Sequence, residues 1–203
     1  MDSSTALSII LVGVSYLCGS VASAIIVCRL MGLPDPRSGG SGNPGATNVL
    51  RLGGKGPAAL TLLGDVLKGV IPVLVAAGSP VPVAVQVACG LAAFVGHLFP
   101  VFFRFQGGKG FATALGVVVA LHWQSFLSMG LTWLIVAALF RFSSLASLCA
   151  AIAAPAAAWL LGAPASFVWG LGVMAVLLFW RHKGNIQRLL AGTESRIGQK
   201  AKG

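Results

Sequence analysis

Acidic residues are nearly missing from this chain: Asp2, Asp35, Asp65 and Glu194 are the full set in 203 residues. Paired-carboxylate chemistry needs two acids in one site, and a divalent-metal clamp needs several hard oxygen ligands. Neither is expected here, and no metal site or cofactor is anticipated. Charge of both signs is sparse, at 9% of residues against about 25% in an ordinary soluble domain. Cysteine pairing is missing too. Cys18, Cys28, Cys89 and Cys149 are scattered in apolar stretches without CxxC spacing, and they read as small buried hydrophobes rather than metal ligands or disulfides. No basic segment precedes the first apolar stretch, so a cleavable signal peptide is not expected. There is no GxSxG nucleophile elbow and no GxxxxGK[ST] phosphate loop. An acyltransferase signature of the His-x4-Asp type is absent: Phe102, Leu127 and Gln187 stand where its aspartate would follow His97, His122 and His182. A phosphoalcohol transferase built on clustered aspartates is excluded by the same shortage.

What is present is apolar. Hydrophobic residues make up 57% of the chain, and its mean hydropathy is +0.91. The expectation is an all-α integral membrane protein, one bundle over residues 1–203 with no room for a separate soluble domain. The formal net charge is +10. In a soluble protein that would suggest nucleic acid. Here the simpler cause is retention of Lys and Arg on the cytoplasmic side, so the expected surroundings are membrane lipid and no nucleic acid. Thirteen of the fourteen Lys and Arg residues fall in or beside four polar segments, around Arg29–Lys55, Arg104–Lys109, Arg141 and Arg181–Lys202; Lys68 is the exception.

A spanning helix needs about 20 apolar residues. Candidate spans run over about Ala6–Leu30, Pro57–Ala77, Val81–Phe99, a stretch from the second polar loop to Leu121, Phe126–Phe140, Leu145–Leu161 and Ser166–Trp180. Between them lie a Gly/Pro-rich loop from Gly32 to Gly56, a turn at Gly78-Ser79-Pro80, a loop from Arg104 to Gly110, an interfacial turn at His122–Ser125, a break after Arg141 and a turn at Gly162–Ala165. About seven crossings result, or six or five if some stretches are re-entrant. The connections after the first, third and fifth spans, and the tail, carry the cations, whereas the others carry none. That parity places the amino terminus outside and the carboxy terminus in the cytoplasm. Trp123, Trp159, Trp169 and Trp180 near span ends suit either interfacial anchoring or core packing. Asp65 and Lys68, three apart inside a span, are expected to neutralise each other.

Three segments could carry chemistry. In the first loop, Ser41-Gly-Asn43-Pro-Gly-Ala-Thr47-Asn48 precedes Arg51. Glycines allow backbone N–H groups to converge on an anion, the polar side chains add donors, and an arginine can grip two phosphate oxygens. Taken alone, such a loop is more often merely a turn. In the second, Gly107-Gly108-Lys109-Gly110 opens a helix and offers free N–H groups beside a lysine, a seat for phosphate. In the tail, Ile186, Leu189 and Leu190 share one side of an interfacial helix. His182 and Asn185, three apart, share a face turned to the same boundary. Ser147 follows Arg141 at that boundary; membrane hydroxyls mostly bond to neighbouring helices.

Together, Ser41-Gly-Asn-x-Gly-Ala-Thr-Asn-x-x-Arg51, Gly96-His-x-Phe-Pro with Gly-Gly-Lys109-Gly, and Gly184-Asn-Ile with Gly192-Thr-Glu closely resemble the three motifs of the bacterial acyl-phosphate:glycerol-3-phosphate acyltransferase family. The resemblance spans nearly the whole chain, with Pro44 as a variable position inside the first motif. It implies a seven-helix enzyme of the bacterial inner membrane, with its site on the cytoplasmic face. The implied reaction takes acyl phosphate and glycerol 3-phosphate to lysophosphatidic acid and phosphate. It also implies phosphate binding by Ser41, Arg51 and Lys109, further substrate contacts from Ser147, His182 and Asn185, and places for Thr47, Asn48 and Glu194 within the motifs. Glu194 could equally be a partner for Arg188 or Arg196. The proton acceptor is His182 or the substrate phosphate. A phosphate-ester permease would also need cations and small residues, but its cations would sit near the bilayer midplane and an inverted repeat would be expected.

Overall fold

The structure is a computed structural model and describes residues 2–199; Lys200 and Lys202 of the basic tail lie outside the described residues. Among the described residues all regular structure is helical. The first expected span is two helices, α1 (Ser3–Gly19) and α2 (Ser23–Leu30), bent by 41°. The break has a packing cause. α1 lies so close to α5 (Val83–Leu98) that a Cβ on Gly19 would overlap the Ala93 backbone, and one on Gly96 would overlap that of Tyr16. At the break the Val21 carbonyl leaves the helical ladder and accepts from Lys68 Nζ at 2.7 Å. Lys68 belongs to α4 (Lys55–Ala77). The same ammonium meets Asp65 at 2.8 Å, and Asp65 lies 3.6 Å from His97 Nδ1. The expected Asp65–Lys68 pair therefore forms, and it also caps a kink.

The expected Gly/Pro-rich loop holds a helix of its own, α3 (Ala46–Gly53). Val49 is fully buried against Ala24, Cys28 and Ala58. Thr47 and Arg51, two residues to either side, are turned about half a circle away. The fourth apolar stretch is α6 (Phe111–Leu121). Eleven residues reach about 16 Å at 1.5 Å each, half of the roughly 30 Å of bilayer hydrocarbon. Gly69 and Gly116 bring α4 and α6 together, each against the other helix's backbone. The expected turn at His122–Ser125 is a single capping residue: α7 (Trp123–Phe140) begins at once, and His122 Nδ1 accepts the Ser125 N–H at 3.3 Å. Arg141, at φ 63°, ends α7 in the left-handed region before α8 (Ser143–Leu160). Then come α9 (Ala165–Arg181) and α10 (Lys183–Leu190), bent by 60°.

Four of the described helices are long and apolar enough to cross a membrane singly, and six crossings result if each bent pair is one span. The core is thin and built largely of small residues around Phe94, Leu98, Val117, Met129 and Leu178. Large apolar side chains face outward instead, among them Leu63, Leu134, Leu139 and Val176, as an apolar solvent permits. Trp123, Trp159, Trp169 and Trp180 are 54–75% exposed, so they lie at the periphery rather than fill the core.

Candidate active site

Asn48 builds the first wall. Its Nδ2 donates to the Pro36 carbonyl (2.8 Å) and the Gly39 carbonyl (3.0 Å), and its Oδ1 accepts the Ser41 N–H (2.8 Å). These bonds use both amide donors and one acceptor site of the oxygen, so Asn48 acts as a staple for residues 36–41. Gly40 and Gly42 have φ of 61° and 69°, which glycine adopts without strain. The staple holds Ser41 at the rim of a cavity of about 1230 Å³. Asn43, Thr47 and Arg51 line the same cavity. Thr47 Oγ1 lies 3.2 Å from Ser143 Oγ and links α3 to α8. The Arg51 guanidinium makes no hydrogen bond or ion pair among the described residues.

The second wall departs from expectation. Gly107 and Gly108 are buried behind Lys109 rather than lining the cavity. The Gly108 N–H is taken by the His97 carbonyl at 3.2 Å. Side chains would not fit at either glycine: Gly107 lies against the carbonyls of His97 and Leu98, and Gly108 against the His97 ring. Gly110, at φ 89°, turns the chain into α6. Lys109 and Gly110 are the lining residues of this loop, with Gly107 and Gly108 packed behind them.

The third wall joins α8, α9 and α10. Lys109 Nζ donates to Asn185 Oδ1 at 2.5 Å, and Asn185 Nδ2 donates to Glu194 Oε1 at 2.6 Å. Glu194 also accepts from Ser144 Oγ and from Arg188 Nε, each at 2.7 Å. Of its two expected partners, the arginine it takes is Arg188. Burial pushes the Glu194 carboxyl up, but the bonds from Ser144, Asn185 and Arg188 outweigh it and hold the group below the usual carboxylate range. Burial pushes the Lys109 ammonium down to about 8, with neighbouring cations adding to the effect and Glu194 opposing it. His182 Nδ1 lies 2.8 Å from the Leu178 carbonyl. A carbonyl can only accept, so Nδ1 carries the proton, and Nε2 of the neutral ring is an acceptor. Ser147 Oγ donates to the Ser143 carbonyl (2.9 Å) and accepts from Trp133 Nε1 (3.2 Å).

The cavity thus gathers Ser41, Asn43, Thr47, Asn48, Arg51, Lys109, Ser147, His182 and Asn185 from four distant segments. Sequence reasoning missed its apolar side: Leu62 from α4, Phe111 and Leu115 from α6, and Trp133 from α7. The Phe111 and Trp133 rings are 6.3 Å apart. In a chain this apolar, such residues carry no signal that separates them from the core. Ser144 and Arg188 were also missed as cavity residues. Among the described residues no cluster of three His, Cys, Asp or Glu side chains could hold a metal ion.

The profile of the glycerol-3-phosphate acyltransferase family matches residues 9–192. The chain belongs to that family. A glycerol-3-phosphate acyltransferase of Methylococcus capsulatus is 58% identical over 94% of this chain and 96% of its own length. One of Halorhodospira halophila is 56% identical over 95% and 98%. Among solved structures, the glycerol 3-phosphate form of PlsY (YgiH), an integral membrane glycerol 3-phosphate acyltransferase, superposes with a TM-score of 0.90 at 43% identity, over 94% of this chain and 96% of that one. The lysophosphatidic acid form gives 0.87 at 40% identity. The cavity residues from Ser41 to Asn185 fall inside the stretch matched by the acyltransferase family, and Glu194 lies just beyond it.

Proposed function

We propose that this chain transfers a fatty acyl group from acyl phosphate to the 1-hydroxyl of glycerol 3-phosphate, the first acylation of phospholipid synthesis. The hydroxyl oxygen attacks the acyl carbon, the bond from that carbon to the phosphate oxygen breaks, and lysophosphatidic acid and phosphate leave. The observation that carries the reading is the convergence of Arg51, Lys109 and Arg188 on one cavity that also has an apolar side. Two phosphate-bearing substrates repel each other, and cations held in a partly dry site offset that repulsion. The same field stabilises the oxyanion of the transition state and the departing phosphate. Acyl phosphate is already activated, so holding the reactants together supplies much of the rate. The forms of PlsY with which the fold superposes, glycerol 3-phosphate and lysophosphatidic acid, support a common substrate and product.

In this reading Arg51 and Lys109 grip phosphate, with Ser41, Asn43 and Thr47 adding donors and Asn48 holding the loop in place. Asn185 and Ser147 orient substrate, while Gly107 and Gly108 give the loop its shape. His182 Nε2 accepts a substrate hydroxyl, and the proton passes to substrate phosphate in preference to His182. The acyl chain lies along Leu62, Phe111, Leu115 and Trp133. The chain works as one domain in the bacterial inner membrane. α6 counts as a short seventh crossing, the amino terminus is outside, and the cavity faces the cytoplasm with the cations. Purified protein in detergent tests the reaction. Phosphate should appear from acyl phosphate only when glycerol 3-phosphate is present, in step with lysophosphatidic acid. Equal turnover of acyl-CoA would remove the donor assignment, and no turnover with either donor would leave a permease.

A further inference from the structure

Arg181 stands outside the cavity lining, at the last residue of α9 and behind the second loop. Its Nε donates to the Gly108 carbonyl (3.1 Å) and its Nη2 to the Gly107 carbonyl (2.7 Å). The rings of Phe99 and Trp180 lie 5.7 and 5.8 Å from the guanidinium carbon. The four described acids are engaged elsewhere, Asp2 with the Thr5 N–H, Asp35 with Arg37, Asp65 with Lys68 and Glu194 with Arg188. A half-buried guanidinium thus spends two donors on two consecutive carbonyls with no carboxylate at hand. A cation needed only for membrane topology has no use for this geometry.

The geometry has a consequence for the cavity. A trans peptide points its C=O and N–H in opposite directions. With the Gly108 carbonyl drawn toward Arg181, the Lys109 N–H is turned the other way, and it has no acceptor among the described residues. The residue lines the cavity, and its ammonium reaches Asn185. Arg181 is also the neighbour in sequence of His182, another lining residue. We propose that Arg181 is a positioning residue for phosphate capture: by gripping both glycine carbonyls it aims the Lys109 N–H and side chain into the cavity and fixes them relative to His182. The proposal takes only its ligand class, a phosphate group, from the acyl-transfer reading. A lysine in its place could not hold two carbonyls with a planar fork.

The test uses the full chain purified in detergent, as wild type, Arg181→Gln and Arg181→Lys. Thermal melting is followed against inorganic phosphate and glycerol 3-phosphate, alongside the KM for glycerol 3-phosphate. In Arg181→Gln the phosphate concentration for half-maximal stabilisation should rise about tenfold, the scale of one lost charge-assisted contact. The KM should rise in parallel, and Arg181→Lys should recover only part of the loss. Should Arg181→Gln not fold, Arg181→Lys carries the same comparison. The proposal is overturned if folded variants respond to phosphate at wild-type concentrations, or lose active protein at unchanged KM. It is overturned as well if neither variant folds, or if the wild type shows no phosphate response. A wild type that responds to phosphate but transfers no acyl group would sink the enzymatic reading and leave the clamp standing.

Discussion

Lys109 carries a charge that its surroundings make expensive. Its ammonium lies mostly buried, and burial lowers its proton affinity to about 8. In the proposed reaction the protonated form binds phosphate, so capture weakens as pH rises through that value. In the free enzyme, kcat/KM should therefore fall as pH rises through about 8, while Lys109→Arg should move that limb to higher pH; a pH profile of both proteins checks the assignment. His182 makes a different prediction. If substrate phosphate takes the hydroxyl proton, His182→Ala removes a contact and not a base. Its loss of kcat should stay well below the roughly thousandfold expected for a lost general base, as single-turnover rates would measure. Lys68 acts on stability. Lys68→Met would leave Asp65 buried without its counter-ion and the Val21 carbonyl with only the Ser23 N–H as donor, at a cost of about 3–5 kcal/mol. Adding Asp65→Asn should recover much of that loss in thermal melting. Residue types and their spacing announced most of the cavity. They could not announce how Asn48 or the glycine pair would be used, because a staple and a binding group look alike in sequence.

Among the helices, close approach decides where the site residues lie. α6 begins two residues after Lys109 and is too short to hold its depth by length alone. Its position against α4 is set where Gly69 meets the Thr113 backbone and Gly116 meets that of Val66. Gly116→Val should push the two helices apart, cost about 1–3 kcal/mol as overpacking does, and lower the melting temperature of the detergent-solubilised protein. The apolar runs made α4, α5, α7, α8 and α9 legible within a few residues, since each is long and flanked by Gly, Pro or Arg. α3 was hidden because its eight residues are too few to show a period between Gly- and Pro-rich flanks, and its buried face appears only where Val49 meets Cys28 and Ala58. The break between α1 and α2 was hidden for another reason. It depends on Lys68 and Ala93, tens of residues away, and no local signal encodes such a partner.

At the scale of the whole molecule, a thin core of small residues, an outer face of Leu, Ile, Val and Trp, and one cavity fed with cations from three segments form a single arrangement. The bilayer replaces the large core that a soluble protein of this size would need. The cations line the cavity and, in the proposed orientation, would also set topology. The direct measurement is kcat/KM for glycerol 3-phosphate-dependent phosphate release by Arg51→Ala and by Lys109→Ala, with melting temperatures confirming that both fold. Each should lose at least about a hundredfold, the scale of a lost transition-state donor. A folded variant within about threefold of wild type, below what even one charge-assisted hydrogen bond contributes, would contradict the account.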